Sequence, residues 1–167
     1  MQIETLNDLY IEQLKDLYSA EKQLNATLPQ LATTAEADEL RSMIESGVSG
    51  TAREMKKLET LAETEGATAA GEKCEGMAGL VRELHDLVDQ CRTSETRDAA
   101  IIAGLQRIKH YEIAGYGCAK AYADRLGKDE ATERLGEILE DEANEDAAMT
   151  ELATSSINRM AVEPAGV

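Results

Sequence analysis

Apolar residues recur along this chain at alternating steps of three and four, the spacing that lines one face of a helix. The first seam runs Tyr10, Leu14, Leu17, Glu21, Leu24, Leu28, with an acid where a Leu or Ile is expected. The second runs Leu40, Met43, Gly47, Gly50, Glu54, Leu58, Leu61. The third runs Ile101, Leu105, Ile108, Glu112, Gly115, Ala119, Tyr122. The fourth runs Leu135, Ile138, Glu142, then Glu145 or Asp146, then Met149 and Leu152. Each seam is interrupted by a carboxylate at mid-helix. An unpaired buried carboxylate is costly, or takes up a proton instead. The pattern therefore calls for something cationic between the four helices.

The seams and their boundary residues predict helices over residues 5–32, 36–65, 96–127 and 129–158. Thr5-Leu-Asn-Asp8 has the form of a capping arrangement at the first start. Pro29 should thin or kink the last turn, and the Thr33-Thr34 pair should break the pattern and cap the second helix. Gly66 closes the second helix, Gly127 the third, and Asp129 is placed to cap the fourth. Residues 67–96 form a crossover with a shorter helix over 77–91, carrying Leu80, Leu84, Leu87 and Val88 on one face. Two short connections and one long one imply two antiparallel hairpins joined by a crossover, the connectivity of ferritin-like bundles. The expected fold is all-α, a ferritin-like antiparallel four-helix bundle with an extra short helix in the crossover. It is read as one domain over residues 1–160 with a frayed tail at 161–167.

Composition narrows the chemistry. The chain has 167 residues, enough for one domain with a real core. Aromatics are 3%, all of them Tyr, and there are two Pro. The net charge is −16, from 33 acids and 17 bases. That balance repels a phosphate backbone and argues against nucleic-acid binding, while it attracts cations. Cys74, Cys91 and Cys118 are scattered, without the spacing of a disulfide framework or a zinc site, and fit a reducing cytoplasm. The first residues carry no apolar core of a signal peptide, and no run of about 18 apolar residues spans a membrane.

In ferritin-like di-metal proteins, two helices each give one Glu and two give a Glu-x-x-His pair. Here the first helix offers Glu21, the second Glu54 and the third Glu112. The fourth offers Glu142 with Glu145 at i+3 or Asp146 at i+4. No seam contains a His. His85 lies in the crossover, and His110 is two residues from Glu112, roughly 200° around the helix, pointing away from the core. Lys109 is closer to the seam, and a buried Lys–Glu network would neutralise the acids without metal. Both readings stay open on the sequence. Gly47 and Gly50 mark either close packing or space beside Glu54 for a ligand or water. Tyr18 and Tyr116 lie near enough in helical phase to support the acids.

The string Asp8-Leu-Tyr-Ile-Glu-Gln-Leu-Lys-Asp-Leu-Tyr-Ser-Ala-Glu-Lys-Gln-Leu24 resembles the opening of the YciE/YciF family of bacterial ferritin-like stress proteins. Cys74-Glu-Gly-Met-Ala-Gly-Leu80, His110-Tyr-Glu-Ile-Ala-Gly-Tyr-Gly117 and the segment Leu139 to Asp146 are similar too. The resemblance covers about residues 3 to 155. It implies a bundle that pairs as a homodimer, a carboxylate-rich iron or manganese site and a role in stress. With iron, it implies oxidation of Fe(II) by oxygen or peroxide, with the carboxylates as ligands and no catalytic side chain assigned. Glu21, Glu112, Glu142 and Asp146 match the family pattern. Family members commonly carry His in place of Gly47, Glu in place of Gly50, Gln or His in place of Glu54, and an acid in place of Lys109. These departures remove ligands from one side and add a positive charge, so two metals, one or none are all compatible with the resemblance. The alternative is a metal-free homodimeric structural or stress-binding protein with a degenerate site at Gly47, Gly50 and Lys109.

Overall fold

The computed structural model describes residues 2–162. Four long helices, α1 (Leu6–Thr34), α2 (Asp38–Thr64), α4 (Ser94–Arg125) and α5 (Asp129–Leu152), form two antiparallel hairpins. The crossover carries α3 (Glu75–Gln90), and α6 (Asn158–Val162) ends the described chain. Among the described residues there is no strand, and no helix is long and apolar enough to cross a membrane. The fold is the expected ferritin-like bundle. α1 packs on α2 and α4, α4 packs on α5, and α3 lies against α4 and α1, while α2 and α5 barely touch.

Local chemistry explains the boundaries. The Thr5 hydroxyl accepts the Asp8 N–H and the Asp8 carboxylate accepts the Thr5 N–H, closing a capping box. α1 runs past Pro29 to Thr34, longer than the sequence pattern predicts. Thr33 and Thr34 donate their hydroxyls to the Gln30 carbonyl, so they stay in the helix instead of breaking it. Glycine ends α2 and α4 in the same way. Gly66 and Gly127 both have φ of 69°, and the next N–H folds back onto Ala62 or Ala123. Lys128, not Asp129, holds the N-cap position of α5. Asp129 is the first helical residue, where its charge favours the positive end of the helix. The predicted fourth helix is interrupted by a π-helical turn at Ala153–Ile157. The expected frayed tail falls partly on α6, where Ala161 and Val162 are helical; residues 163–167 lie outside the described residues.

The core comes in two parts. One holds Leu24, Leu28, Leu31, Ile44, Met77, Leu84, Ile101, Leu105, Ile108 and Met149, with α3 packed over Gly104, where an added Cβ would meet Leu84 at 2.3 Å. The other holds Tyr10, Leu14, Leu17, Leu58, Leu61, Tyr116, Leu135 and Ile138. Glu21, Glu54, Glu112 and Glu142, all buried, lie along their helices at the division between the two.

α2 starts at Ala37 without a side-chain cap of its own. Its cap comes from α4 instead. Asp98 is buried, and its carboxylate accepts the N–H groups of Glu36 at 2.9 Å and Ala37 at 2.8 Å. This bond ties one hairpin to the other, which a pattern of local caps does not reveal. We expect Asp98→Ala to cost about 1–3 kcal/mol through two stranded donors, a fall of about 2–4 °C in melting temperature per kcal/mol. Asp98→Asn, with one acceptor oxygen, should lose less. Calorimetry that finds Asp98→Ala as stable as the wild type would show that the cross-hairpin cap contributes nothing.

Candidate metal centre

Helical phase turns the four seam acids inward, one from each long helix. Glu21 comes from α1, Glu54 from α2, Glu112 from α4 and Glu142 from α5. Glu21, Glu54 and Glu142 each offer a carboxylate oxygen, and these three atoms lie within 4.8 Å of one another. Their carboxyls pair off, Glu54 against Glu21 and Glu112 against Glu142. The Tyr116 hydroxyl donates to Glu21 Oε1 at 2.6 Å and fixes that carboxylate in place. Tyr18 does not join; its hydroxyl donates to Glu59 at 3.0 Å.

One cation faces these acids. Lys109 is buried, and its Nζ lies 2.9 Å from Glu142 Oε2, 2.9 Å from Glu145 Oε2 and 3.5 Å from Glu112 Oε2. It donates a hydrogen bond to Glu142 Oε1 at 3.1 Å. Even so, Glu21 Oε2, Glu54 Oε2, both Glu112 oxygens and Glu142 Oε2 accept no well-formed hydrogen bond, although Glu142 Oε2 and Glu112 Oε2 lie 2.9 Å and 3.5 Å from the Lys109 ammonium. Buried carboxylate oxygens are rarely left this way.

The remaining candidates fall at the edge. Glu145 sits at the rim, its side chain 36% exposed, and reaches the site through Lys109. Asp146 is turned elsewhere. Its carboxylate lies 3.3 Å from His110 Nε2 and accepts from Gln106 at 3.2 Å. His110 is exposed and points away from the core, as its helical phase implies. The two glycines of α2 do not open space beside Glu54. Gly47 packs toward Leu28, where a Cβ would lie 3.3 Å from Leu28 Cδ1. Gly50 faces Glu145, where a Cβ would lie 3.6 Å from Oε1. A cavity of about 340 Å³ opens between α2 and α5, lined by Leu24, Leu28, Ile44, Gly47 and Met149 together with Lys109 and Glu145. The sequence carries no signal for this cleft beyond the two glycines.

The electrostatics come from burial. Desolvation raises every carboxyl in the cluster. Glu21 rises well above its usual range, through burial first and then the charges of Glu112, Glu54 and Glu142. Burial raises Glu54 and Glu112 to about 7, against the opposing pull of Lys109. Glu142 rises to about 9, through burial and then Glu112. Burial would depress Lys109, but Glu112, Glu142 and Glu145 outweigh it and hold the amine charged. The cage thus holds more negative charge than one ammonium offsets. Protons or a cation must supply the rest.

The donor set fits a hard divalent ion. All the donors are carboxylate oxygens, the type that suits Mg²⁺, Ca²⁺ or Mn²⁺, and among the described residues no imidazole or thiolate joins them. The unpartnered oxygens are where such an ion would bind.

Known proteins share this architecture. Residues 5–162 match the family described as a domain of unknown function, DUF892. The chain is 35% identical over 162 residues to protein YciF of Escherichia coli (strain K12), spanning 96% of this chain and 98% of YciF. The crystal structure of the E. coli stress protein YciF matches with a TM-score of 0.89 and 34% identity, covering 93% of this chain and 99% of that one. YcfI of Rhodopseudomonas palustris, described as a candidate structural protein, matches with a TM-score of 0.86 and 30% identity, covering 89% of this chain and 95% of that one. With the bundle, the crossover helix and nearly the whole length in common, this chain belongs to the DUF892 family, of which YciF is a relative.

Proposed function

We propose that this protein is a stress-associated ferritin-like bundle that binds one divalent cation, manganese or Fe(II), in the carboxylate cage. The observation that carries the reading is the set of five buried carboxylate oxygens that accept no well-formed hydrogen bond, only two of which lie within ion-pair reach of the single ammonium beside them. Glu21, Glu54 and Glu142 would hold the ion, with Glu112 beside them and Tyr116 keeping Glu21 in position. Asp146 is left out of this set because Gln106 and His110 engage it. Glu21, Glu54 and Glu142 gather a single set of oxygens, so the reading is one ion and not two. Bound iron or manganese would supply one-electron redox chemistry toward oxygen or peroxide. The residues supply charge, shape and exclusion of water, and the small oxidant is the substrate class that suits a site this enclosed. Homodimer pairing, as in the family resemblance, belongs to this reading.

A second reading keeps the fold and drops the metal. Lys109 already bridges Glu112, Glu142 and Glu145, and protons shared between carboxyls could neutralise the remainder. The protein would then be a homodimeric structural or stress-binding bundle, in line with the description of YcfI.

Elemental mass spectrometry after anaerobic Mn(II) or Fe(II) loading and desalting separates the two. We expect about one equivalent per chain in the wild type and none in Glu142→Gln. Saturating Mn(II) at a hundred times Kd should stabilise by about 2.7 kcal/mol, roughly 5–10 °C at this chain length. No retained metal and no change in melting would leave the second reading.

The pH dependence of the metal-free protein gives an independent check. Glu54 and Glu112 rise to about 7 and Glu142 to about 9, all above their unfolded value of 4.5. A carboxyl raised on folding contributes stability that is complete below its unfolded pKa and lost as pH rises through its folded pKa. Chelator-treated protein should therefore melt at progressively lower temperature from pH 5 to pH 9. Glu142→Gln should flatten the alkaline part of that slope, and Mn(II) should stabilise most at the alkaline end, where protons have left the ligands. A melting temperature independent of pH over this range would mean that the cage is not proton-loaded.

A further inference from the structure

The cage already contains a cation, and its surroundings say where that cation can go. We propose that Lys109 is a displaceable internal cation: when a divalent ion enters the cage, the Lys109 ammonium withdraws with Glu145 into the cleft between α2 and α5. This rests on the metal reading above and specifies how that site is regulated.

Three observations carry it. The first is competition for one carboxylate. Glu142 belongs to the oxygen trio of the cage and is also the closest fully buried partner of Lys109, at 2.9 Å. An ammonium and a divalent ion sharing that carboxylate would repel one another strongly in a site removed from water. The second is direction. Of the three carboxylates around Lys109, Glu112 and Glu142 are fully buried, while the Glu145 side chain is 36% exposed. Glu145 is the partner that lets the lysine keep an ion pair while its charge returns to water.

The third is room. Lys109 and Glu145 both line the 340 Å³ cavity, whose lining is otherwise mostly apolar and includes Leu24, Leu28, Ile44 and Met149. That volume is many times what a single water needs. Apolar walls suit the methylene stem of a lysine whose head reaches the surface. Gly50 presents no side chain against Glu145 Oε1, so that carboxylate has space to move with its partner. α2 and α5, which frame the exit, make the thinnest contact of any two neighbouring long helices.

The arrangement also selects by charge. A monovalent ion would replace one positive charge with another and gain nothing from displacing Lys109. A divalent ion brings one charge more than it evicts. Lys109 thereby becomes a specificity-determining residue of the cage, and it keeps the acids partly neutralised while no ion is bound.

Amine acylation of the full-length chain, read residue by residue by mass spectrometry, tests this with and without Mn(II). Sodium at matched ionic strength is the control. We expect Lys109 to be protected in chelator-treated protein and in sodium, and to be acylated at least tenfold faster with saturating Mn(II). Exposed Lys56 should stay unchanged. Calorimetric titration should show Lys109→Gln binding Mn(II) at least tenfold more tightly than the wild type. Mn(II) binding with Lys109 still protected, or equal affinity in the two proteins, overturns the displacement and leaves the metal reading standing. Failure of both proteins to bind Mn(II) overturns both. The acylation measurement uses the wild-type chain, so it decides the matter even where Lys109→Gln folds poorly.

Discussion

Four carboxylates inside a helical bundle cannot all keep their charge beside one ammonium. Glu21, Glu112 and Glu142 have no measurable exposure, and Glu54 has little, so water does not screen them. Every other property of the site depends on how this excess is settled. Protons settle it where burial has raised the carboxyls to about 7 or above, so that they are held near neutral pH. A cation settles it by taking their place, and Lys109 offsets one charge while the cage is free of metal. Replacing all four acids by Leu would make a continuous and more stable core, since buried ion networks are commonly less stabilising than the apolar side chains they displace. This acidic belt is therefore a cost in stability that the two flanking apolar clusters carry.

Those clusters explain why the cost is tolerable. On one side of the belt, α3 extends the core by covering α1 and α4, with Leu84 seated on Gly104. On the other, Tyr10, Leu58, Leu135 and Ile138 close the opposite end of the bundle. Asp98 joins the hairpins at one end, and a Lys128–Glu65 ion pair at 2.8 Å joins them at the other. The acids are thus held by helices fixed on both sides of them, the condition for a preorganised set of ligands.

The fold was legible because it depends on period. Seam spacing located the four long helices, and connection lengths paired them into hairpins. The inward turn of Glu21, Glu54, Glu112 and Glu142 is a matter of helical phase, which a sequence carries directly. What the sequence did not carry are relations between helices. Asp98 reaches across 61 residues to cap α2, so no local signature announces it. Asp146 and Glu145 are adjacent on α5 and both one turn from Glu142, yet one meets His110 and the other Lys109. Their difference lies in which flank of α4 each faces, and spacing along a single helix does not contain that. The glycines of α2 left two readings open for the same reason. Gly47 packs closely toward Leu28 of α1, and Gly50 leaves room on the α5 side, beside Glu145.

Lys109 changes what a ferritin-like cage can be. A site that takes two divalent ions must begin with charge-free space for both, and its metal-free form must hold protons in their place. Here one of those charges is covalently attached to the protein, one helical turn from Glu112 on the same helix. The lysine cannot diffuse away, so its effective concentration at the cage is always high and free metal must outcompete it. The same tether limits how far the charge must travel, and a neighbouring carboxylate at the rim travels with it. Under the displacement proposed above, the consequence would be a threshold. Metal at low concentration would meet a cage already partly neutralised, and the site would fill only when the divalent ion is abundant enough to offset the displacement. For a relative of YciF, a cage that would respond to metal excess and ignore the resting level is a coherent outcome of one lysine placed among buried acids.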